Sequence, residues 1–406
     1  MIEPALALLG TCAALTSLGC SVYDESLFGG TSESRKCVFA RWPEPPAATN
    51  LGGNTSFVTA LRSFDFGEEH QSLEGVPVPV RQTIGYDLDS RCTKNEALND
   101  PTLADPNSCE PVASWFAPRY GDLKGGRDNG LRYLIEFIAM ALEGFGTPIY
   151  NFAIESGEVS LLMQVENYNE QPDDDSVGFK LYTPAPFSMA NPGPPAFNGR
   201  DEWPVAEDSF DAGNSNQPKF VASRAWVTGN TLVASFRSVD LRLRIGIAES
   251  QIVDLVLRFV DPFFTAKIEK VGDAWWLKQG QIAARWRTSE LLQQVKYFPN
   301  PFYDATLVEP TNTLNMCTKT PTYRLVREAI CGSTDIVAGA GGPGAFCDSI
   351  SVGIGFEAVQ ARLGGTVKLE APETDCDTFD PSKDSCDKTY EKLVEEGLAL
   401  PAAPAQ

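Results

Sequence analysis

The sequence predicts a mainly β protein: an antiparallel β-sandwich or barrel-like body with one packed amphipathic helix and a disulfide-containing C-terminal region. First, apolar and polar residues alternate in many short runs between residues 159 and 287, the period of strands with one wet face. Second, Gly229–Asn230 and Gly272–Asp273 each separate two such runs, as in hairpins. Third, several cysteines lie in loops rich in Pro and Asp, which is typical of disulfides.

The first half of the chain contains the clearest helix. Before it, "SFVTALRSFDF" predicts one or two edge strands, and "VPVPVRQTIGYDLDSRC" enters the folded body. The helix is predicted from Asn129 to Leu142, with Asp128 or Asn129 as its cap. Its apolar residues recur at helical spacing and form one face, which we expect to pack against the sheet: Leu131, Leu134, Ile135, Ile138 and Leu142.

The second half continues with strands and a second helix. "SLLMQVENYN" and "VGFKLYTP" read as strands joined by the turn "QPDDDS", and both hairpins follow. Thr320 as cap and Pro321 at the first helical position predict a helix. "SISVGIGFEAVQARLGGTVKL" then returns as strand or mixed structure.

Composition limits the class of protein. The 406 residues are 43% hydrophobic, enough for a buried core and too many for a disordered chain. The 33 basic residues against 54 acidic ones give a net charge of -21, which repels nucleic-acid phosphates. We therefore predict no nucleic-acid partner.

The single histidine restricts the chemistry. A His-rich zinc site is excluded by count, and a nucleophile–histidine arrangement would have to use His70. His70 lies in the polar stretch "DFGEEHQSLEG", which predicts a solvated loop histidine.

The N-terminus indicates export and lipid attachment. Residues 1–20 predict a signal peptide, because the apolar stretch from Ala5 to Leu18 is too short to span a membrane. Gly19 before Cys20 resembles the lipobox of bacterial lipoproteins, which implies lipid attachment at Cys20 and a membrane partner through that lipid. Ser17 and Glu3 depart from the usual pattern. The alternatives are a cleaved signal that leaves Cys20 lost or free, and a cytosolic protein.

We divide the rest of the chain into four segments. Residues 21–75 predict a flexible tether and edge strands, 76–300 the β-rich body, 301–395 a Cys-containing region packed on the body, and 396–406 a disordered tail.

Eight cysteines remain as disulfide candidates once Cys12 leaves with the signal and Cys20 carries lipid. Short separations favour bridges between Cys92 and Cys109, between Cys317 and Cys331, and between Cys376 and Cys386. The full set of candidates is Cys37, Cys92, Cys109, Cys317, Cys331, Cys347, Cys376 and Cys386.

Several stretches in one order resemble uncharacterised exported lipoproteins of the kind common in myxobacteria. The similar region runs from Tyr86 to Ile336 and includes "GYDLDSRC", "GRDNGLRYL", "IESGEVSLLMQVENYNEQPDDDSVGFKLY", "DEWPVAEDSF", "RAWVTGNTLVASF", "LKQGQIAARWRTSELL" and "CTKTPTYRLVREAICGSTDI". The resemblance implies export and anchoring, and it transfers no site residue.

Two acidic stretches are candidate metal sites. Asp87 and Asp89 would lie on the same side of an extended strand, where they could bind Ca²⁺ or flank a glycosidic bond. Asp173, Asp174 and Asp175 share one turn, where a divalent ion would relieve their repulsion. Solvated carboxylates without an ion are the alternative for both.

A third acidic stretch could contact a sugar. Asp201 and Glu202 precede Trp203, and aromatic faces stack on sugar rings while carboxylates accept hydrogen bonds from hydroxyls. Burial of the tryptophan in the core is the alternative.

These observations favour a cell-envelope lipoprotein that acts by binding or as a structural surface component, without catalysis and without a resident cofactor other than Ca²⁺. Its partner would be a glycan or an envelope protein. One alternative is a carbohydrate-active enzyme or carbohydrate-binding protein with a carboxylate pair about 5 to 10 Å apart in a cleft. Another is a carrier of a hydrophobic ligand, with an apolar cavity between the sheet and the first helix.

Overall fold

An eleven-stranded sheet forms the centre of the protein. The computed structural model describes residues 39–47, 52–71, 76–79, 81–91, 109–110, 122–123, 126–141, 145–211, 214, 217–248, 251–307, 311–339 and 344–400. All of them belong to one unit, Cys37–Gln406. The predictions for the leader, Cys20, Cys37 and Cys92 lie outside the described residues.

The described strands are β1 (Thr55–Asp65), β2 (His70–Gln71), β3 (Pro77–Val78), β4 (Leu162–Tyr168), β5 (Gly178–Tyr182), β6 (Glu202–Ala206), β7 (Phe220–Val221), β8 (Arg224–Thr228), β9 (Thr231–Ser235), β10 (Ser238–Ala248), β11 (Gln251–Val271), β12 (Ala274–Arg287) and β13 (Ser349–Val367). The helices are α1 (Gly130–Ala141), α2 (Thr147–Glu155), α3 (Thr288–Val295), α4 (Pro321–Gly332) and α5 (Tyr390–Glu395). Short 3-10 turns cover Phe187–Met189, Glu207–Ser209, Asp377–Phe379 and Pro381–Lys383.

The sheet is antiparallel except for one pair. Its order is β7-β5-β4-β1-β13-β12-β11-β9-β8, while β10 pairs with β11 and β6 pairs in parallel with β13. The strands β2 and β3 form a separate two-stranded sheet.

The sheet curls until its two ends meet. The end strands β7 and β8 are separated by Ala222 and Ser223 alone, and those two backbone N–H groups donate to Phe179 and Ser235 on opposite ends of the sheet. A two-way backbone bridge between Asp174 and Val227 adds a second link. The predicted antiparallel β class with a barrel-like body is confirmed.

Local turn chemistry produces the hairpins. Gly229 and Asn230 both have positive φ angles, 55° and 63°. A type I′ two-residue turn requires positive φ at both positions, and its twist matches that of the two strands it joins. The β8–β9 and β11–β12 hairpins are therefore confirmed at the predicted places.

Long-range pairing corrects two of the predicted segments. The strand predicted at an edge, β1, lies between β4 and β13 in the middle of the sheet. The C-terminal segment is not an addition to the body, because its strand β13 pairs with both β1 and β12. The β1–β13 partners are about 300 positions apart and the β12–β13 partners 62 to 83 positions apart, and periodicity contains no signal for either pairing.

Both predicted helices form. In α1, Leu131, Leu134 and Ile135 are buried in the core, and Asn129 accepts the N–H of Arg132 at 3.4 Å. In α4, the Thr320 hydroxyl accepts the backbone N–H of Tyr323 at 3.3 Å. Both helices thus begin at a predicted cap.

The disulfides are Cys109–Cys347, Cys317–Cys376 and Cys331–Cys386. All three predicted short-range pairings are wrong, because each cysteine is placed by tertiary contacts opposite a partner at least 55 residues away.

The prediction of a disordered tail from residue 396 starts the tail too early, because the structure describes residues up to 400. Leu398 and Ala399 both donate their N–H to the Leu393 carbonyl at the end of α5, and Ala399 is buried. Residues 401–406 lie outside the described part of the chain.

Candidate functional site

The end of β1 and the middle of β12 and of β13 line a cavity of about 610 Å³, which we call the polar pocket. Its polar lining includes Asp65, His70, Arg81, Gln279, Gln281 and Glu357, and α2 contributes Thr147 and Asn151. The volume lies within the range of about 300–1,000 Å³ that is usual for small-molecule sites.

Strand register places two carboxylates in this pocket. Ser63 pairs with Glu357 and Asp65 with Gly355 across β1 and β13. Asp65 and Glu357 are therefore diagonal neighbours on one face, a relation that separates side chains by about 7 Å. The polar pocket therefore contains two carboxylates, at residues that the sequence did not indicate.

The two carboxylates differ in their surroundings. Asp65 binds Arg81, with 2.9 Å between its Oδ2 and Nε, and its Oδ1 accepts the Gly67 N–H at 2.8 Å. Glu357 is half-buried and, within the part of the chain that the structure describes, its side chain has no hydrogen bond or ion pair. Arg81 thus neutralises the Asp65 carboxylate, whereas the Glu357 carboxylate can accept hydrogen bonds from a ligand.

His70 also lines the pocket, which corrects the prediction of a solvated loop histidine. It lies in β2, and its side chain is only 12% exposed. Its Nδ1 is 3.1 Å from the Glu68 carbonyl oxygen. Because a carbonyl only accepts, Nδ1 has the proton in the neutral ring, and Nε2 is an acceptor.

Helix α2 holds the back wall of the pocket against β1. The Asn151 side chain accepts the Phe64 N–H at 2.8 Å and donates to the Phe64 carbonyl at 3.1 Å. The buried Glu68 carboxylate accepts the N–H of Thr147 at 2.6 Å and its hydroxyl at 2.9 Å. These bonds position the pocket before any ligand arrives.

A bulge in β12 forms the opposite wall. The register against β13 shifts between Leu277 and Gly280, and Gln279 has a positive φ of 49°. A Cβ on Gly280 would lie 2.5 Å from the Phe356 ring, so only glycine lets the two strands approach here. The bulge turns Gln279 toward the pocket, as bulges near binding sites commonly do.

The carboxylates of Asp87, Asp89 and Asp128 form a second feature, which we call the carboxylate cluster. One oxygen of each lies within 4.8 Å of the others. The segment 81–91 contains two of these residues and also residues of the polar pocket, and the Gly85 N–H donates to Gln281 at 3.0 Å. The pocket and the cluster therefore share one segment.

Backbone N–H groups satisfy part of the cluster. Ser90 N donates to Asp87 Oδ1 at 2.7 Å, and Leu88 N donates to Asp128 Oδ2 at 2.7 Å. Asp87 Oδ2 is buried and accepts no hydrogen bond among the described residues, while Arg41 is 3.6 Å away. Asp87 Oδ2 thus has an ion pair with Arg41 but no hydrogen bond within the described part of the chain.

Burial raises the pKa of the Asp87 and Asp89 carboxyls. It raises the pKa of Asp128 well above its ordinary value, with further contributions from Asp122, Asp89 and Asp335. Negative charge is disfavoured here unless a proton or a cation accompanies it.

The turn at Asp173, Asp174 and Asp175 is built from carboxylate-to-backbone hydrogen bonds. Asp174 accepts the N–H groups of Asn169 and Ser176 at 2.8 and 3.0 Å. Asp173 accepts the Gly229 N–H at 2.9 Å. These donors already stabilise the charges of Asp173 and Asp174. Asp175 is half-buried, and its Oδ1 accepts no hydrogen bond among the described residues.

The predicted sugar contact at Asp201, Glu202 and Trp203 is wrong in its central residue. Trp203 is 0% exposed and packs on Phe187, with ring centroids 4.9 Å apart. Asp201 accepts the N–H of Phe197 at 2.6 Å, and Glu202 is exposed. A fully buried indole cannot stack on a sugar.

No family model, curated protein or solved structure matches the chain. Among the described residues, no helix is long and apolar enough to cross a membrane. The three disulfides indicate that the protein folds outside the cytosol, where thiols oxidise.

Sequence reasoning missed the polar pocket. Asp65, Arg81 and Glu357 stand alone in their strands and loops, without a motif around them. The only local signal was the isolated Gly280 in a strand pattern, which is typical of a bulge or a close approach.

Proposed function

We propose that this protein is exported, is anchored in the cell envelope by a lipid on Cys20, and binds a small carbohydrate-class ligand in the polar pocket. The observation that supports binding is the pocket itself, with an available Glu357 carboxylate beside a fixed Asp65–Arg81 pair. Such a concave site with a few placed polar groups is the usual form of a small-molecule site.

The carbohydrate class follows from the mixture of hydrogen-bonding groups. Sugar hydroxyls both donate and accept, and the pocket offers acceptors on Glu357 and His70 and donors on Arg81. Asp65 is already bound to Arg81 and to a backbone N–H, which suits positioning better than proton transfer. This supports a binding protein rather than a hydrolase.

Export and anchoring are supported by the leader, by Gly19 before Cys20, and by the disulfides. Mass spectrometry of the protein purified from its natural host should show a mature N-terminus at a lipid-modified Cys20. A chain that begins at Met1 with reduced cysteines would contradict both export and anchoring.

A bulky side chain placed in the polar pocket tests whether sugars bind there. Thr83 is exposed and lines the cavity, so Thr83→Trp should occupy the space and abolish sugar binding in calorimetric titrations against a panel of mono- and disaccharides. Thr366→Trp, at an exposed position on β13 outside the lining, is the matched control. Binding that survives Thr83→Trp would place the ligand elsewhere, and no binding by the natural protein would contradict the function.

The carboxylate cluster favours a second function, Ca²⁺ binding. Three carboxylates offer oxygens within 4.8 Å, and Asp87 Oδ2 is buried without a hydrogen bond. Oxygen ligands of this type suit Ca²⁺. A bound ion would hold the segment 81–91, which also lines the polar pocket.

Ca²⁺ at 100 times its dissociation constant should raise the free energy of unfolding by about 2.7 kcal/mol. Asp87→Asn should remove this gain, while Asp273→Asn in the exposed β11–β12 turn should keep it. Denaturant titrations with Ca²⁺ or with EDTA measure the difference, and equal stability in both would refute the site.

A further inference from the structure

The polar pocket has an unbalanced charge. Asp65 and Arg81 neutralise one another across 2.9 Å. Glu357 remains as a negative charge on the same face of the sheet. The pocket thus has one acidic group more than it has basic groups.

The basic side chains of the adjoining strands are engaged elsewhere. On β12, Lys278 binds Glu269 with 3.0 Å between Nζ and Oε2. On β1, Arg62 lies over the Trp276 ring at 5.3 Å. The other two basic residues of β12, Arg285 and Arg287, pair with Asp261 at 3.5 Å and with Glu290 at 3.9 Å. Each cation of β1 and β12 therefore has a partner other than Glu357.

In its neutral form, His70 adds a hydrogen-bond acceptor to the pocket. Nδ1 of His70 points at the Glu68 carbonyl oxygen, and the buried Glu68 carboxylate is 3.8 Å away. In the neutral ring Nε2 can only accept. Acceptors near Glu357 thus favour a ligand rich in N–H and O–H groups.

The net charge of the whole chain also disfavours an anionic ligand. The whole chain has a net charge of -21, and its field favours the approach of cations. A half-buried carboxylate without a partner is stabilised most by a charged donor, because a charge-assisted hydrogen bond is about twice as strong as a neutral one.

We infer that the ligand is a sugar-sized molecule that carries a protonated amine, and that Glu357 is the residue that selects the amine. This rests on the polar pocket being the carbohydrate-class site proposed above. Glu357 accepts from the ammonium group, while Arg81 and Asp65 contact hydroxyls.

The test compares three sugars that differ at one position: glucosamine, N-acetylglucosamine and glucose. Isothermal titration of the full chain should show glucosamine binding at least 10-fold more tightly than the other two. The preference should weaken as NaCl is raised, because it depends on charge.

Glu357→Gln keeps the shape of the side chain and removes its charge. It should lower the affinity for glucosamine 10- to 100-fold and leave the affinities for glucose and N-acetylglucosamine unchanged. Glu373→Gln, at an exposed position outside the pocket lining, should behave like the natural protein. A thermal unfolding curve for each variant confirms that it is folded.

The outcomes separate the two proposals. Sugar binding that Thr83→Trp abolishes, but that shows no amine preference and no effect of Glu357→Gln, would overturn the amine inference and keep the pocket. No binding of any of the three sugars would overturn both.

Discussion

Asp335 shows how one buried residue couples stability to pH. Its Oδ1 accepts the Ser351 N–H at 2.7 Å, and the Ser351 hydroxyl donates to its Oδ2. Burial nevertheless raises its pKa from 3.8 to about 7. Between these two values the folded state binds more protons than the unfolded state, so this residue's contribution to stability falls as pH rises through that window.

Asp335→Asn removes this titration. Relative to the natural protein, the variant should gain about 2–4 kcal/mol in the free energy of unfolding between pH 4 and pH 8. Urea titrations without Ca²⁺ at several pH values measure the gain. Asp273→Asn, which is exposed, should show no such trend, and an Asp335→Asn difference that does not vary with pH would contradict the prediction.

Single residues also show where sequence reasoning succeeds and fails. It located Asp87 and Asp89 as neighbouring carboxylates because they are two positions apart. Asp128 joins them through folding, 39 positions after Asp89, and no local pattern indicates it. Trp203 was misassigned because its exposure depends on the turn at Phe187 that covers it.

Helix α4 begins at residues that the local sequence identifies, and its side chains then bind a distant segment of the chain. Thr320 and Pro321 start it, and Cys331 in its last turn binds Cys386. The buried Arg327 on the same helix binds Asp384, with 2.7 Å between Nε and Oδ2. The helix therefore holds the C-terminal loop to the rest of the fold.

Thr320→Ala should lower the free energy of unfolding by about 1–2 kcal/mol, because the cap to Tyr323 N and the bond to the Cys317 carbonyl are both lost. Thr320→Ser keeps the hydroxyl and should recover most of the loss. Thr322→Ala, in the first turn but not at the cap, loses only a long 3.5 Å bond from its hydroxyl to Asn300 and is the control for helix propensity. Chemical denaturation compares the three, and equal effects of the 320 and 322 alanine variants would contradict the capping role.

At the scale of the whole molecule, the closed sheet brings distant segments together. Cys347 N donates to the Glu110 carbonyl, and Glu110 N donates to the Ala345 carbonyl, both at 2.9 Å. The Cys109–Cys347 disulfide joins the same two segments across 238 residues. A bond over so long a loop restricts the unfolded chain strongly.

Replacing both Cys109 and Cys347 by Ser should lower the free energy of unfolding by about 2–5 kcal/mol. Peptide mapping of the unreduced natural protein should recover a fragment that contains both cysteines. Recovery of Cys109 bound to Cys92 instead would restore the pairing that sequence distance favours and contradict the structure.

The sequence by itself determined the β class, the β8–β9 and β11–β12 hairpins, and the starts of α1 and α4. It also determined that cysteines of this chain form disulfides. Each of these depends on residues within about a dozen positions, where periodicity, turn residues and caps act directly. Only the tertiary structure decided that β1 pairs with β13, which cysteines bind one another, and that Asp65 and Glu357 share a pocket. The physical reason is that contacts between distant segments are selected by the packing of the whole core, which local residue patterns do not encode.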